Sequence, residues 1–221
     1  MSALRFLPAL VAPALVLLGW GLVAPLPAFL DQPARPALLV ALVLGRLAMS
    51  DAYRFGIRAR AEARAQVLLP LLALSLTAAA LVALPALDAR PELLPAGLRA
   101  AHPLARAAGA LLFGLGIGLQ AWAARTLGRW FSPRIAIQPG HELIRSGPYA
   151  RVRHPFYTGL LLTIPGLPLA FGWLLGLPLL GLALPLVVWR VGVEERLLAD
   201  EFGAAFADHA ARTRRLVPFL Y

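Results

Sequence analysis

Thr158–Trp189 runs for 32 residues without a charged side chain. A helix crosses the hydrocarbon core of a bilayer with about 20 residues, so this run is too long for one straight span. Pro165, Gly166, Pro168, Gly172, Gly176 and Pro178 crowd its middle. Proline breaks a helix interior by removing a donor and clashing with the preceding turn, and the run therefore predicts a helical hairpin of two short spans.

Four further apolar runs accompany it: Phe6–Leu30, Pro36–Ser50 (interrupted by Arg46), Val67–Leu87 and Ala107–Ala124. Only helices and closed barrels satisfy the backbone in lipid. The runs are rich in Leu and Ala and lack the period-two alternation of barrel strands. The expected fold is an all-α, multi-pass transmembrane helical bundle of six crossings, or five plus a re-entrant pair. The first run is too long and too broken by proline for a cleaved leader, and it reads as a retained span.

Orientation follows from arginine, since all 21 basic residues are Arg. With the N-terminus in the cytosol, sixteen arginines fall on the cytosolic side and four (Arg35, Arg90, Arg99, Arg106) on the other. That is a strong positive-inside bias, which predicts cytoplasmic termini. The net charge of +10 then reports topology and contact with anionic lipids rather than nucleic acid. The Ala/Leu-rich, all-Arg usage suggests a bacterial inner membrane. The absence of cysteine excludes disulfides and thiolate chemistry. His102, His141, His154 and His209 form no metal-ligand spacing, so no metal is expected.

The chain divides into a scaffold of three spans (1–106) and a half that carries chemistry (107–221). The basic segment Asp51–Gln66 in the first half reads as an interfacial helix. In the second half the polar residues lie in the loop Arg125–Tyr157 and the tail Arg190–Tyr221. The hairpin between them begins and ends on one face, so loop and tail must be neighbours, and with the cytosolic mouth of the bundle they could close a pocket.

Within the loop, "SGPYARVRHPFYTG" (146–159) predicts that a helix starts at Pro155, because proline pushes the preceding His154 out of helical conformation and suits the first helical position. The exposed N–H groups and positive pole of that helix suit an anion. Arg151 and Arg153 add charge there, and Tyr149 and Tyr157 offer ring faces; the same residues would also serve as plain interfacial anchors. In "WRVGVEERLLADEFG" (189–203), Arg190 and Glu194 share a helix face. Glu194 and Glu195 place adjacent carboxylates where the chain leaves hydrocarbon, which is costly unless they have a partner. Salt bridges or a cationic ligand would both answer that need. Gly114, Gly116 and Gly118 suit close helix packing, or a ligand pressed against bare backbone.

"HELIRSGPYARVRHPFYTG", the hairpin, and "EERLLADEFGAAFADHAARTRRLVPF" together closely resemble the isoprenylcysteine carboxyl methyltransferase family and the related phospholipid N-methyltransferases. The resemblance covers the C-terminal half. It implies a membrane enzyme using S-adenosylmethionine, with the cofactor held by His141, Glu142, Leu143, Ile144, Tyr149, Arg153, His154, Pro155, Phe156, Tyr157 and Glu194. Gly116 and Gly118 match a glycine pair that the phospholipid branch assigns to the cofactor. Arg190 and Glu195 would serve the reaction, Arg190 by meeting the substrate. Where the family commonly has two tyrosines after its Phe-Gly, this chain has Phe206 and His209.

The expected function is methyl transfer to a lipophilic small molecule, lipid or lipidated acceptor, either on a carboxylate or on a lipid amine. Two rivals are a sterol-type reductase using NADPH and a transporter or scaffold. Pro155 after His154 and the Glu-Glu pair favour methyl transfer over the first. Arg46, the single charge within an apolar run, gives little support to the second.

Overall fold

The computed structural model describes residues 14–44 and 84–99, each with short breaks, together with 102–132 and 137–217. Its helices are α1 (Ala34–Leu44), α2 (Pro103–Leu127), α3 (Pro155–Ala170), α4 (Gly176–Phe202) and α5 (Ala204–Arg212). The described residues are helical, and two isolated β-bridges are the extended pairings among them. The number of crossings turns on residues 1–13 and 45–83, which lie outside the described residues and hold the start of the Phe6–Leu30 run, Arg46 and the segment Asp51–Gln66.

α2 begins as its sequence dictates. Pro103 occupies the first turn, and His102 Nδ1 accepts from the Leu104 N–H at 3.2 Å, filling one of the donors a helix start leaves open. Gly128, with φ of 54°, ends it. With the turn that follows, α2 is long and apolar enough to cross a bilayer, as is α4.

The predicted hairpin is present, with its turn at 171–175 between α3 and α4. Gly172 carries φ of +82°, and its missing Cβ leaves room for the Arg106 guanidinium. The two arms are unequal, 16 residues in α3 against 27 in α4, so the expectation of two short spans holds for α3 alone. The difference arises because residues 190–202 keep a helical apolar period and carry α4 on past the apolar run. Leu177, Leu182, Leu186 and Trp189 are exposed along α4, as a lipid-facing surface requires.

α2 and α3 run antiparallel in close contact. A Cβ on Gly159 would stand 2.5 Å from the Gly116 carbonyl oxygen, and one on Gly116 would stand 2.6 Å from that of Gly159. Two turns along α3, a Cβ on Gly166 would stand 2.6 Å from the Phe113 backbone nitrogen. Small residues thus let the two backbones meet.

At the far end from the loop and tail, Trp20, Phe29, Leu38, Phe113, Phe171 and Trp173 form the main apolar core. Arg35, expected among the loop charges, is instead buried there. It bonds Asp88 through Nε at 2.8 Å, while Arg106 Nη2 takes the other carboxylate oxygen at 2.9 Å. The Arg35 guanidinium also lies 4.2 Å over the Trp20 ring.

Candidate functional site

The site is organised by a pairing between loop and tail. Val152 and Arg214 form a parallel bridge; the N–H of Arg153 donates to the Arg214 carbonyl at 2.7 Å and that of His154 to the Arg215 carbonyl at 3.0 Å. Thr158, in the first turn of α3, donates its hydroxyl to the Leu216 carbonyl at 2.6 Å. Loop and tail are therefore neighbours, as the topology of the hairpin required.

His154 caps α3 with φ of −127° and ψ of 58°, and Pro155 follows at the first helical position. The loop reaches this point through a turn at Gly147–Ala150. Gly147 has φ of 58°, and a side chain there would meet Thr126 on α2. Tyr149 is buried in that turn, and burial first, then the charges of Glu194 and Tyr157, raises its pKa well above 10, so it stays a neutral phenol.

Glu195, buried on α4, anchors the cluster. Arg153 Nε donates to Oε1 at 2.6 Å and Arg215 Nε to Oε2 at 2.8 Å, so one carboxylate joins the loop to the tail. Arg153 also donates through Nη1 to the carbonyls of Thr213 at 2.6 Å and Ala210 at 3.1 Å, capping the last turn of α5.

Glu194 has a different environment. Its Oε2 accepts from the Tyr157 hydroxyl at 3.0 Å, and that hydroxyl in turn accepts from Arg190 Nε at 2.7 Å. Arg190 and Glu194 thus meet through Tyr157. The other Glu194 oxygen lies 3.8 Å from His154 Nδ1, and the side chain keeps 32% of its surface open. His154 Nε2 is buried facing Glu195 Oε1 at 3.4 Å.

An aromatic wall adjoins these groups. His141 stacks on Trp130 with ring centres 5.0 Å apart and meets the edge of Phe202 at 5.8 Å. Burial lowers the pKa of His141 against the opposing pull of Glu201 and Glu194, and its Nδ1 is buried without a partner. Phe156 packs edge-on against Tyr157.

Arg153, His154, Tyr157, Arg190, Glu194 and Glu195 are thus brought into one contact network, with Pro155 and Phe156 beside them and Tyr149 and His141 within the field of Glu194. Leu143 and Ile144 are half-buried in the loop between. Glu142 is exposed and pairs with Arg129 at 3.5 Å. Gly116 lies in the α2–α3 crossing, and Gly118 is exposed with open space beside it. Sequence reasoning missed Arg215 and Thr213, which it counted only as tail residues. Chemically, the network and its surroundings offer one partly open carboxylate, an unfilled imidazole nitrogen on His141 and ring faces, a combination suited to a small guest with both cationic and polar groups.

Comparison with known proteins agrees with this segment. Residues 109–200 match the isoprenylcysteine carboxyl methyltransferase (ICMT) family. A protein-S-isoprenylcysteine O-methyltransferase B of Arabidopsis thaliana is 34% identical over 113 residues, covering 48% of this chain and 55% of the relative. A cobalt-zinc-cadmium resistance protein of Cupriavidus metallidurans is 36% identical over 108 residues, covering 48% and 50%. The chain therefore spans about half the length of these curated relatives. The structure of a eukaryotic intramembrane Ras methyltransferase ICMT superposes with a TM-score of 0.57 at 20% identity, covering 95% of this chain and 74% of that one, a likeness of fold.

Proposed function

We propose, since residues 109–200 match the isoprenylcysteine carboxyl methyltransferase family, that this protein is a membrane methyltransferase acting on a lipophilic acceptor with S-adenosylmethionine as methyl donor. The observation that carries the reading is the Arg190–Tyr157–Glu194 chain beside His154, fixed by the pairing of loop and tail. The residues fit the cofactor: a buried imidazole nitrogen on His141 has no partner among the described residues and awaits a polar guest, and Glu194 is open enough to meet a cation.

When bound, S-adenosylmethionine supplies a sulfonium methyl group for in-line displacement, a reaction that asks for positioning more than for proton transfer. Glu194 would hold the ammonium or ribose hydroxyls of the cofactor. His141, Leu143, Ile144 and Tyr149 would line its adenine, and Pro155, Phe156 and Tyr157 would bound the site at the start of α3. The α3 N-terminus would favour its carboxylate. Arg153 supports that end while its own donors are taken by Glu195 and the α5 carbonyls. Glu142, Gly116 and Gly118 would act from outside the contact network.

Arg190 is the group suited to orient an acceptor oxygen, since it stands on α4 where the lipid-facing surface meets the polar end. Glu195 keeps Arg153 and Arg215 in place and thereby the geometry of the site. A carboxylate acceptor would neutralise the sulfonium charge during transfer, which a dry site at the membrane edge favours over water. An exposed apolar face on α4 supports sideways entry of the acceptor from the bilayer.

The arginine distribution supports a cytosolic position for loop, tail and both termini, in a bacterial inner membrane. Because the chain has no cysteine, single cysteines introduced into loop and tail would report their side by impermeant labelling. The activity is tested by incubating purified protein and lipid extracts with methyl-labelled cofactor and identifying what gains label, as ester or as amine. Binding of a nicotinamide dinucleotide in place of S-adenosylmethionine would overturn the proposal.

A further inference from the structure

A cavity of about 180 Å³ lies on the polar end, lined by Arg145, Ala150, Asp208, His209, Arg212 and Thr213. One water needs only about 15 Å³ of such space, so there is room for a polyatomic guest. The lining is drawn from the loop, from α5 and from Thr213 after it; Thr213 adjoins the first site through Arg153, and the other five residues lie outside the Glu194–Tyr157 network.

Its chemistry is that of an anion receptor. Arg145 and Arg212 both pair with the single carboxylate of Asp208, leaving one positive charge in excess. Each guanidinium carries five N–H donors, and their recorded contacts, with Asp208 and the Ala205 carbonyl, leave donors over on both. The neighbouring acceptors are already taken. The Ala210 and Thr213 carbonyls accept from Arg153, and the His209 carbonyl accepts from the Thr213 hydroxyl. The negative pole of α5 is thereby covered and does not oppose an anion.

His209 supplies the second observation. It is 7% exposed, it lines the cavity, and its imidazole makes no hydrogen bond among the described residues. Its ring nitrogens are not sealed in the interior and so can meet a guest in the cavity. The field at this point is positive: after burial, the charges of Arg145 and Arg153 lower the His209 pKa, and Asp208 opposes them.

We propose that this cavity binds a phosphate-type anion, held by the guanidinium groups of Arg145 and Arg212 with His209 as third donor, outside the methyl-transfer site. Planar guanidinium groups suit phosphate oxygens. The headgroup of an anionic phospholipid and free phosphate are two sources of the same chemistry.

The test uses the full chain in two arms: native mass spectrometry for retained phosphatidylglycerol against phosphatidylcholine, and titration with inorganic phosphate. Arg212→Gln, at a residue mostly exposed, and the double variant with Arg145→Gln are compared with Arg196→Gln, an exposed arginine away from the cavity. Each lost charge-assisted contact is expected to weaken binding about tenfold or more, with Arg196→Gln unchanged. Phosphatidylglycerol that survives excess phosphate identifies the headgroup as the source; lipid displaced by phosphate identifies the free anion. Equal weakening by Arg196→Gln, or no binding in either arm, overturns the proposal. Cofactor affinity of Arg212→Gln should match that of the wild type, which separates this result from any failure of the methyltransferase reading.

Discussion

Arg190 and Glu194 stand one helical turn apart on α4, yet they are joined by the hydroxyl of Tyr157 from α3, which accepts from Arg190 at 2.7 Å and donates to Glu194 at 3.0 Å. The phenol holds both side chains toward α3 instead of letting them close on each other. Glu194 keeps one oxygen directed to His154, the position from which it can meet a guest.

Glu194→Gln is accordingly expected to weaken S-adenosylmethionine binding by about tenfold to a hundredfold, the range for losing a hydrogen bond to a charged group. Tyr157→Phe should weaken it less, since the carboxylate remains and only its orientation is lost. Equilibrium titration of the purified protein reads both, and equal affinity in Glu194→Gln and wild type would remove Glu194 from the site.

Glu195→Ala should act on folding. It leaves Arg153 and Arg215 without their shared carboxylate, and breaking a largely buried ion pair costs about 3 kcal/mol. The loop and tail should loosen together, so thermal unfolding in detergent should come earlier and hydrogen exchange should rise at Arg153, His154 and Arg214 in the same variant. Glu195→Gln, which keeps an acceptor, should fall between.

Acid should destabilise the polar end through His209 and His141. Burial is the leading cause that lowers both below 6.5. A histidine whose folded pKa is depressed binds its proton more readily when unfolded, so its contribution is complete above about 6.5 and is lost as pH falls through the lowered value. Thermal unfolding should therefore be less cooperative or earlier at about pH 5.5 than at about pH 7.5, and His209→Gln should flatten part of that difference. An unchanged slope in His209→Gln and in His141→Gln would show that neither imidazole carries it.

At the opposite end, Asp88→Ala leaves Arg35 and Arg106 as uncompensated buried cations and is expected to cost about 3–5 kcal/mol. Arg35→Met together with Asp88→Leu should recover part of this loss, because matched apolar replacements remove the desolvation cost as well as the pair. Denaturation of the two variants side by side decides the point.

Much of this arrangement was legible beforehand. Proline and glycine gathered in the middle of an uncharged run pointed to a turn, which Gly172 makes although Pro165, Gly166 and Pro168 lie inside α3 and Gly176 and Pro178 inside α4; a hairpin that leaves and returns on one face forces 125–157 against 190–221. Pro155 announced the start of α3 because its ring excludes the residue before it from helical geometry. What stayed hidden depended on direction rather than position. Spacing of four along α4 suggests a direct Arg190–Glu194 pair, and nothing in the sequence says that a phenol from another helix comes between. Arg215 was one of several tail arginines, and only the register of Val152 with Arg214 selects it as a partner of Glu195. Gly116 and Gly118 looked alike, but at about 200° of rotation apart on a helix only one of them can face α3, and that one is Gly116.

The crossing of α2 and α3 has a consequence for how this protein can drift. Gly116 and Gly159 each occupy the space that the other's side chain would need, so an alanine at one position cannot be rescued by any change at the other. The two codons form a locked pair without a compensating route, and a randomised library at both should return glycine at both.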